Sequence, residues 1–421
     1  MYIFYVTGMI KVLSFFIYAC FFSTHSNAAE LRILTSFPPF VTDTFVGLFE
    51  KSNNDIQTQV LNKNTIAAID EILRGNKRKF NIFWSSSPEA FELLKQNNAI
   101  ATKDICGKDG PDSVVPFAVS SVGWARRLDS ELFMPAEWND LLKPLYRGKI
   151  AMARPARSGS THLIVEHLLL IRGWKDGWAY LLELSANLST LTARSFGVPD
   201  GLINNRFDIG LTIDFLSQAK SDRLQFRYGR PLMLVPAQIG ILRGGVGIKS
   251  ACEFLRMMLS RQGQLELLAP NISRIPIDQA VRAEAAKELP GDIKAALRLS
   301  WLNYDASITS SRYWGVNTLF DIMITETLNE RRALWRRYHD LNGKVFDADL
   351  YNIKQILSEV PISETEAVAA SDINQIGLRS SVLTSQSVLE RNLINEWRSR
   401  VKKQMQQADG ALSLLEQLRD R

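Results

Sequence analysis

Leu31-Arg32-Ile33-Leu34-Thr35-Ser36, Ile56-Gln57-Thr58-Gln59-Val60-Leu61 and Phe80-Asn81-Ile82-Phe83-Trp84-Ser85-Ser86-Ser87-Pro88 are three short apolar or alternating runs with helix-like segments between them. Apolar and period-two runs of this length read as strands. The first intervening segment predicts a helix over 43–51 capped by Thr42. The second predicts one capped at Asn64-Thr65 and running to Leu73. Pro88 suits the first turn of a third helix, ending near Gln96. Strands joined by crossover helices imply an α/β fold with a parallel sheet, whose ligands sit off the carboxyl ends of the strands. Ser36 and residues 85–87 lie just past two such ends.

Towards the C-terminus, residues 114–125 form a longer β-like stretch that leads away from this unit. A second α/β unit follows: a strand over 150–153, a helix over 160–174, a strand over 188–193, and a strand over 207–215 after a turn on Gly197-Val198-Pro199-Asp200-Gly201. Residues 231–241 read as a return strand, and 251–268 as a helix with Phe254, Leu255, Met258 and Leu259 on one face. Two lobes crossed by two extended segments make a clamp, with residues 29–117 and 237–300 in lobe 1 and 118–236 in lobe 2. Residues 301–421 change character and read as a helical C-terminal region. Long helices are expected over 314–337 and 380–421, with a polar connection over 361–374. In the last helix Leu389, Leu393, Trp397, Val401, Met405, Leu412, Leu415 and Leu418 recur near helical spacing. That stripe fits packing back on the body, or a partner-binding or coiled-coil segment that Asp409-Gly410 would interrupt. Arg398, Arg400, Lys402 and Lys403 read as a solvated face.

Towards the N-terminus, Lys11 precedes an uncharged run over 12–22 that is too short to span a bilayer, and Ser26-Asn27-Ala28 offers small residues where a signal peptidase reads. Residues 1–28 are therefore read as a secretory signal cleaved after Ala28, which places the mature chain in the periplasm. An uncleaved membrane anchor is the alternative. Translation from Met9 would give the same mature chain, and the residues before Cys20 only loosely resemble a lipoprotein box.

The composition agrees with an ordinary folded protein: 421 residues, 46 % hydrophobic, 22 % charged, with 24 glycines and 15 prolines. Collagen-like and wholly disordered chains are excluded. A net charge of +6 with scattered basic residues gives no nucleic-acid signal and mildly favours small anions. Beyond the signal only Cys106 and Cys252 remain, too few for a disulfide framework or a four-cysteine zinc site. Free, buried thiols are the default. Histidines are equally scarce, so neither a metal nor any other cofactor is expected.

Arg154-Pro155-Ala156-Arg157-Ser158-Gly159-Ser160-Thr161 joins a strand to a helix and offers amides, hydroxyls and guanidiniums, the makings of an anion cradle. Ser158 or Ser160 acting as a helix cap is the plain alternative. No Walker loop follows. Arg194-Ser195, Thr212 and Asp214 lie at or near strand ends of the same unit. Arg194 is either a surface arginine or part of a cleft, and Asp214 is either functional or at an exposed strand end. A Ser160–His162 nucleophile pair fails on geometry, because residues two apart on a helix diverge. There is also no G-x-S-x-G elbow, and no enzyme is expected.

Trp138-Asn139-Asp140-Leu141-Leu142, Pro144-Leu145-Tyr146-Arg147-Gly148-Lys149-Ile150, Phe254-Leu255 and Leu259-Ser260-Arg261-Gln262-Gly263-Gln264 resemble the extracellular solute-binding proteins of bacterial ABC transporters. The subgroup is the one that takes ferric iron and phosphorylated sugars, and the resemblance spans about 31–275. Phe83-Trp84-Ser85-Ser86-Ser87-Pro88-Glu89-Ala90, Ser158-Gly159-Ser160-Thr161-His162 and Gly197-Val198-Pro199-Asp200-Gly201 are most similar to members concerned with phosphoglycerate transport. The resemblance implies a hinged periplasmic-binding-protein clamp in which Ser36, Ser86, Ser158, Ser160, Thr161, Arg194 and Asp214 contact the ligand. It implies a small phosphorylated acid, phosphoglycerate or phosphoenolpyruvate, whose occupancy is reported to a membrane sensor kinase that induces uptake. The alternative is the binding component working with an ABC permease, for a sugar phosphate, another anion or ferric iron. The iron binders supply adjacent tyrosines, and no Tyr-Tyr pair occurs here. The chain also runs on well past the family-like region, which suits docking to another protein.

Overall fold

A computed structural model describes residues 29–285, 289, 291, 293–294, 304–379 and 383–419. The signal-like segment, the Met9 start and Cys20 lie outside the described residues.

The apolar runs become two mixed sheets. The first has the order β11-β4-β10-β3-β1-β2, built from β1 (Ala29–Thr35), β2 (Ile56–Asn62), β3 (Ile82–Ser85), β4 (Val114–Ser120), β10 (Val235–Ile241) and β11 (Ile275–Pro276). The second has the order β7-β6-β8-β5-β9, built from β5 (Val122–Arg127), β6 (Ile150–Ala153), β7 (Leu188–Thr192), β8 (Ile209–Ile213) and β9 (Leu224–Tyr228). The parallel expectation holds for β1 with β2 and β3, and for β6 with β7 and β8, whereas β10 runs antiparallel to β3 and β4, and β5 to β8 and β9. Strands buried on both faces need helices on both sides. Ile82, Phe83 and Trp84 are buried, as are all five residues of β8.

Residues 114–125 are two strands rather than one. Ser121 separates β4 in the first sheet from β5 in the second, and the chain returns to the first sheet through residues 229–234. Two sheets joined by two crossings form the clamp.

Helices α1 (Pro39–Ser52), α2 (Thr65–Leu73) and α3 (Pro88–Gln96) cross the first sheet. α1 starts at Pro39, not at a Thr42 cap: Pro38 is extended before it, and the Thr42 hydroxyl bonds back to the Pro39 carbonyl. In the second lobe α4 (Gly159–Leu184) runs beyond the expected end at 174, with a break at Gly173, whose φ of 77° is a conformation that costs glycine little. Gly197–Gly201 is part of a short helix, α5 (Gly197–Ile203), and not a turn. The stretch 207–215 is shorter as a strand because Asp214 opens α6 (Asp214–Gln218). The segment 251–268 is two helices, α7 (Ile248–Leu259) and α8 (Arg261–Glu266), broken by Ser260, which caps the second. The free-thiol expectation is overturned: Cys106 and Cys252 form a disulfide across 146 residues of sequence. Distance along the chain hid the pairing, since only the fold lays the Cys106 loop against α7.

After α9 (Gln279–Glu284) the described C-terminal helices are α10 (Ala306–Ser311), α11 (Tyr313–Phe320), α12 (Leu328–Leu341), α13 (Asp347–Ser358), α14 (Glu364–Arg379) and α15 (Leu383–Arg419). The expected long helix over 314–337 is interrupted by a π-helical turn, Asp321–Thr325. The expected polar connection 361–374 is largely α14. Ser363 and Glu366 cap each other's backbone there, a capping box whose polar residues resemble a linker. α15 continues through Asp409-Gly410 and packs back on the body, with Trp397, Val401, Met405, Leu412 and Leu415 buried, while Leu389 and Leu418 stay exposed. Arg398 and Arg400 are engaged by Glu326 and Glu366 rather than merely solvated.

Candidate functional site

Three helices of the two lobes begin at one place. Thr65 opens α2, Ser87 precedes α3, and Ser158-Gly159-Ser160 opens α4 from the other lobe. A cleft there is lined by Thr65 and Ser158-Gly159-Ser160 together with Ser36, Ser85, Ser86, Arg157 and Arg194, with Ser87 buried behind it against Gly159. First-turn amides have no intrahelical acceptor, and the positive ends of the helix dipoles add to them, so converging N-termini favour an anion. The hydroxyls reinforce this. Thr65 Oγ1 is buried without a hydrogen-bond partner, a donor left open in an enclosed place.

Five of the sequence-expected residues, Ser36, Ser86, Ser158, Ser160 and Arg194, line this one cleft. Ser36 Oγ and Ser85 Oγ lie 2.9 Å apart across the ends of β1 and β3. Ser158 caps α4, accepting from the Thr161 amide at 3.1 Å, while its Oγ lies 3.2 Å from Ser160 Oγ. Cap and cleft wall are thus the same residues. Arg194 reaches across: its Nη2 donates to Asn62 Oδ1 at 2.9 Å, on the other lobe. Burial and the nearby Arg157 hold its pKa below the usual arginine value.

Thr161 and Asp214 are set behind the wall. Thr161 donates from its hydroxyl to Ser158 Oγ at 2.9 Å. Asp214 accepts from the amides of Ser121 at 2.9 Å and Phe215 at 2.8 Å, so it ties the crossing point of the lobes to β8. It is 1 % exposed, and burial pushes its carboxyl up to about 6 against those bonds. Thr212 is buried within β8.

The cleft is nearly shut. Its free space is about 20 Å³, close to what a single water needs. Gly159 shows how closely the lobes meet, since a Cβ there would lie 3.0 Å from Ser87 Cβ and 3.1 Å from Thr65 Oγ1. Entry of an organic ligand therefore requires the walls to part.

His162 does not face Ser160. It is fully buried with its ring 4.3 Å from the Tyr313 ring and Nδ1 3.3 Å from Asn317 Oδ1, and burial lowers its pKa to about 3. Its neighbours belong to a polar seam behind the cleft. There Arg312 of the C-terminal region donates to Glu166 of α4 at 2.6 Å and also pairs with Glu364. Arg154, at the start of the Ser158 loop, makes a two-bond ion pair with Asp321, both at 2.6 Å. Tyr313 also packs into the core of the first lobe with Ile69, Phe83 and Phe91. The C-terminal helices thus touch both lobes just behind the site. Among the described residues, no three His, Cys, Asp or Glu side chains converge as a metal site would require.

Thr65 entered the sequence reading only as a helix start, and two further residues of this region escaped it. Glu89, in the first turn of α3, looks like an ordinary dipole partner, but it is fully buried and accepts from Ser87 Oγ at 2.7 Å. Arg274 follows α8, where only its charge within the apolar run of Ile272, Ile275 and Ile277 sets it apart. It is 2 % exposed, and its Nη2 donates to the cleft-lining Ser86 Oγ at 2.8 Å.

The sequence profile described as "Bacterial extracellular solute-binding protein" matches residues 37–267. The phosphoglycerate transport regulatory protein PgtC of Salmonella typhimurium is 28 % identical over 359 residues, covering 81 % of this chain and 88 % of that one. An uncharacterised protein of Haemophilus influenzae is 27 % identical over 140 residues, 31 % of this chain and 39 % of its own. Among solved structures, the periplasmic binding protein AfuA of Actinobacillus pleuropneumoniae with fructose-6-phosphate bound superposes with a TM-score of 0.54 at 15 % identity, over 60 % of this chain and 86 % of that one. The apo ferric ion-binding protein A of Pasteurella haemolytica gives 0.56 at 13 % identity, over 70 % and 97 %. At these identities the structural likeness speaks for the fold. No described helix is long and apolar enough to cross a membrane.

Proposed function

The chain belongs to the bacterial extracellular solute-binding protein family, and from that premise we propose that it is a periplasmic receptor for a small phosphorylated organic acid of the phosphoglycerate and phosphoenolpyruvate type. Its mode of action is binding without turnover: the lobes close about Ser121 and residues 229–234, and the closed form is reported to a membrane sensor that controls uptake. The observation that carries this reading is the meeting of three helix N-termini from two lobes with Arg194 and the open hydroxyl of Thr65. A phosphate dianion answers that set, because amides, hydroxyls and a guanidinium all donate and, among the described residues, no carboxylate lines the wall. Ser36, Ser86, Ser158, Ser160 and Arg194 hold the ligand directly. Thr161 steadies Ser158, and Asp214 steadies the crossing. The three-carbon class and the sensing role are supported by the likeness to the Salmonella regulatory protein, which extends over most of the chain. The C-terminal helices, tied to both lobes, are the surface a sensor would read.

Thermal-shift measurements on the purified protein with 2- and 3-phosphoglycerate, phosphoenolpyruvate, fructose 6-phosphate, inorganic phosphate and ferric citrate test the reading. A three-carbon phosphate at a hundred times its Kd adds about 2.7 kcal/mol, and Arg194→Ala weakens its binding by about 1.5–3 kcal/mol. Stabilisation by the hexose phosphate or ferric citrate alone would replace this reading with that of an importer's binding component. No shift with any of them overturns both.

A further inference from the structure

Arg274 is a buried cation with unused donors. Of the five N–H groups of a guanidinium, it makes one hydrogen bond, to Ser86 Oγ, and its Nε and Nη1 have no partner. Three aromatic rings enclose it. The guanidinium carbon lies 4.5 Å from the Phe37 centroid, 5.5 Å from that of Phe117 and 3.8 Å from that of Phe215. Phe37 belongs to the first lobe and Phe215 to the second, and both line the cleft with Ser86. Arg274 therefore stands at the closing seam. Asp214 attracts Arg274 through its charge, but its oxygens are engaged by the Ser121 and Phe215 amides and by the Tyr228 hydroxyl at 3.4 Å. The backbone presenting Arg274 is also unusual, since Ser273 before it has a φ of 50°, a sparsely populated region for a serine.

The aromatic faces and the charge of Asp214 offset part of the cost of burying this cation, but most of its donors stay idle, and idle buried donors are costly. Burial holds its pKa down to about 9, and an anion seated on the idle donors would reverse that.

We propose that Arg274 is a specificity-determining residue that binds the carboxylate of the ligand, while the helix N-termini and Arg194 hold the phosphate. This rests on the phosphorylated-acid reading of the cleft and narrows it: the site selects a short molecule carrying both acids. Ser86, which lines the cleft and bonds Arg274, makes the two anchors adjacent. A guanidinium suits this task because its fork pairs with a carboxylate through two parallel bonds.

The test compares 3-phosphoglycerate with glycerol 3-phosphate, which has the same phosphate on three carbons but a hydroxymethyl group in place of the carboxylate. Calorimetry on the intact protein should show 3-phosphoglycerate bound at least about tenfold more tightly. Arg274→Gln should weaken 3-phosphoglycerate by about 10- to 100-fold, weaken glycerol 3-phosphate by no more than about threefold through its bond to Ser86, and so erase most of the preference. A merely structural role would move both ligands together, and that result overturns the inference while leaving the phosphate reading intact. Equal binding of the two by the unaltered protein overturns it without any variant, which guards against a variant that fails to fold. Binding of neither ligand by the unaltered protein overturns the phosphorylated-acid reading and this inference with it.

Discussion

Glu89 shows how a residue with an ordinary sequence context acquires chemistry from its surroundings. Acidic residues are common in a helix's first turn, where they face the dipole and water. Here burial pushes the carboxyl up to about 8, with nearby Glu166 adding to the rise and the Ser87 hydroxyl opposing it. A carboxyl with a raised folded pKa holds its proton more tightly folded than unfolded, so its stabilising effect is fullest below 4.5 and is lost as pH climbs to about 8. His162 and His167, lowered to about 3 and about 4, act oppositely, their share growing as pH rises to 6.5. Asp214, raised to about 6, has spent its loss by that pH. Between pH 6.5 and 8 Glu89 is still losing that effect, and Glu166, whose carboxyl burial also raises, acts in the same direction. The Glu89 share should lower stability across that window by about 1–2 kcal/mol, and Glu89→Gln should make the fall shallower by that amount and be the more stable protein at pH 8. Urea midpoints at the two pH values decide it, and identical slopes for both proteins would refute the assignment.

The meeting of α2, α3 and α4 depends on a residue without a side chain. Gly159 opens α4 against Ser87 and Thr65 of the other lobe, so any Cβ there presses on the closed clamp, and parting of the walls would relieve it. Overpacking of this kind costs about 1–3 kcal/mol. Gly159→Ala should therefore lower the affinity for 3-phosphoglycerate at least about fivefold, while the unliganded protein keeps its stability within about 1 kcal/mol. Titration calorimetry together with a melt of the free protein checks both halves. Unchanged affinity would mean that the three helix starts do not close on the ligand. At the same scale α14 reads as a linker in sequence, because a capping box and a polar face are indistinguishable from a loop until Ser371 and Ala367 are seen packed against Gly315 of α11.

Across the whole molecule, two lobes and a helical region are held as one body by long-range ties. Arg154–Asp321 and Arg312–Glu166 fasten the C-terminal helices to the second lobe, and Tyr313 inserts into the core of the first. On the proposed reading, opening the clamp would disturb that seam, which is how the helices would register occupancy. The Cys106–Cys252 bridge works at the same scale. It closes a loop that contains the entire second lobe, and a long loop restrains the unfolded chain strongly. Replacing both cysteines by serine should cost about 2–4 kcal/mol, read as a lower denaturation midpoint. A midpoint that does not move would show that the bridge contributes nothing to stability. Such bridges persist in oxidising compartments, in keeping with the periplasmic reading.

Much of this protein is written locally. The apolar runs at 31–35, 56–61 and 80–84, the Asn64 and Pro88 helix starts and the Ser158 loop follow from spacing and capping chemistry, which act over a few residues. From them came the α/β class and the clamp, while the family resemblance added the contact residues, five of which line one cleft. Tertiary structure decided the rest, because the relevant partners are far apart in the chain. Only folding brings Arg274 beside Phe37, Phe117 and Phe215, joins Cys106 to Cys252, shuts Glu89 away from water, and splits the stretch 114–125 between two sheets at Ser121. Burial and long-range pairing set the energies of these groups, and neither is a property of neighbours in sequence.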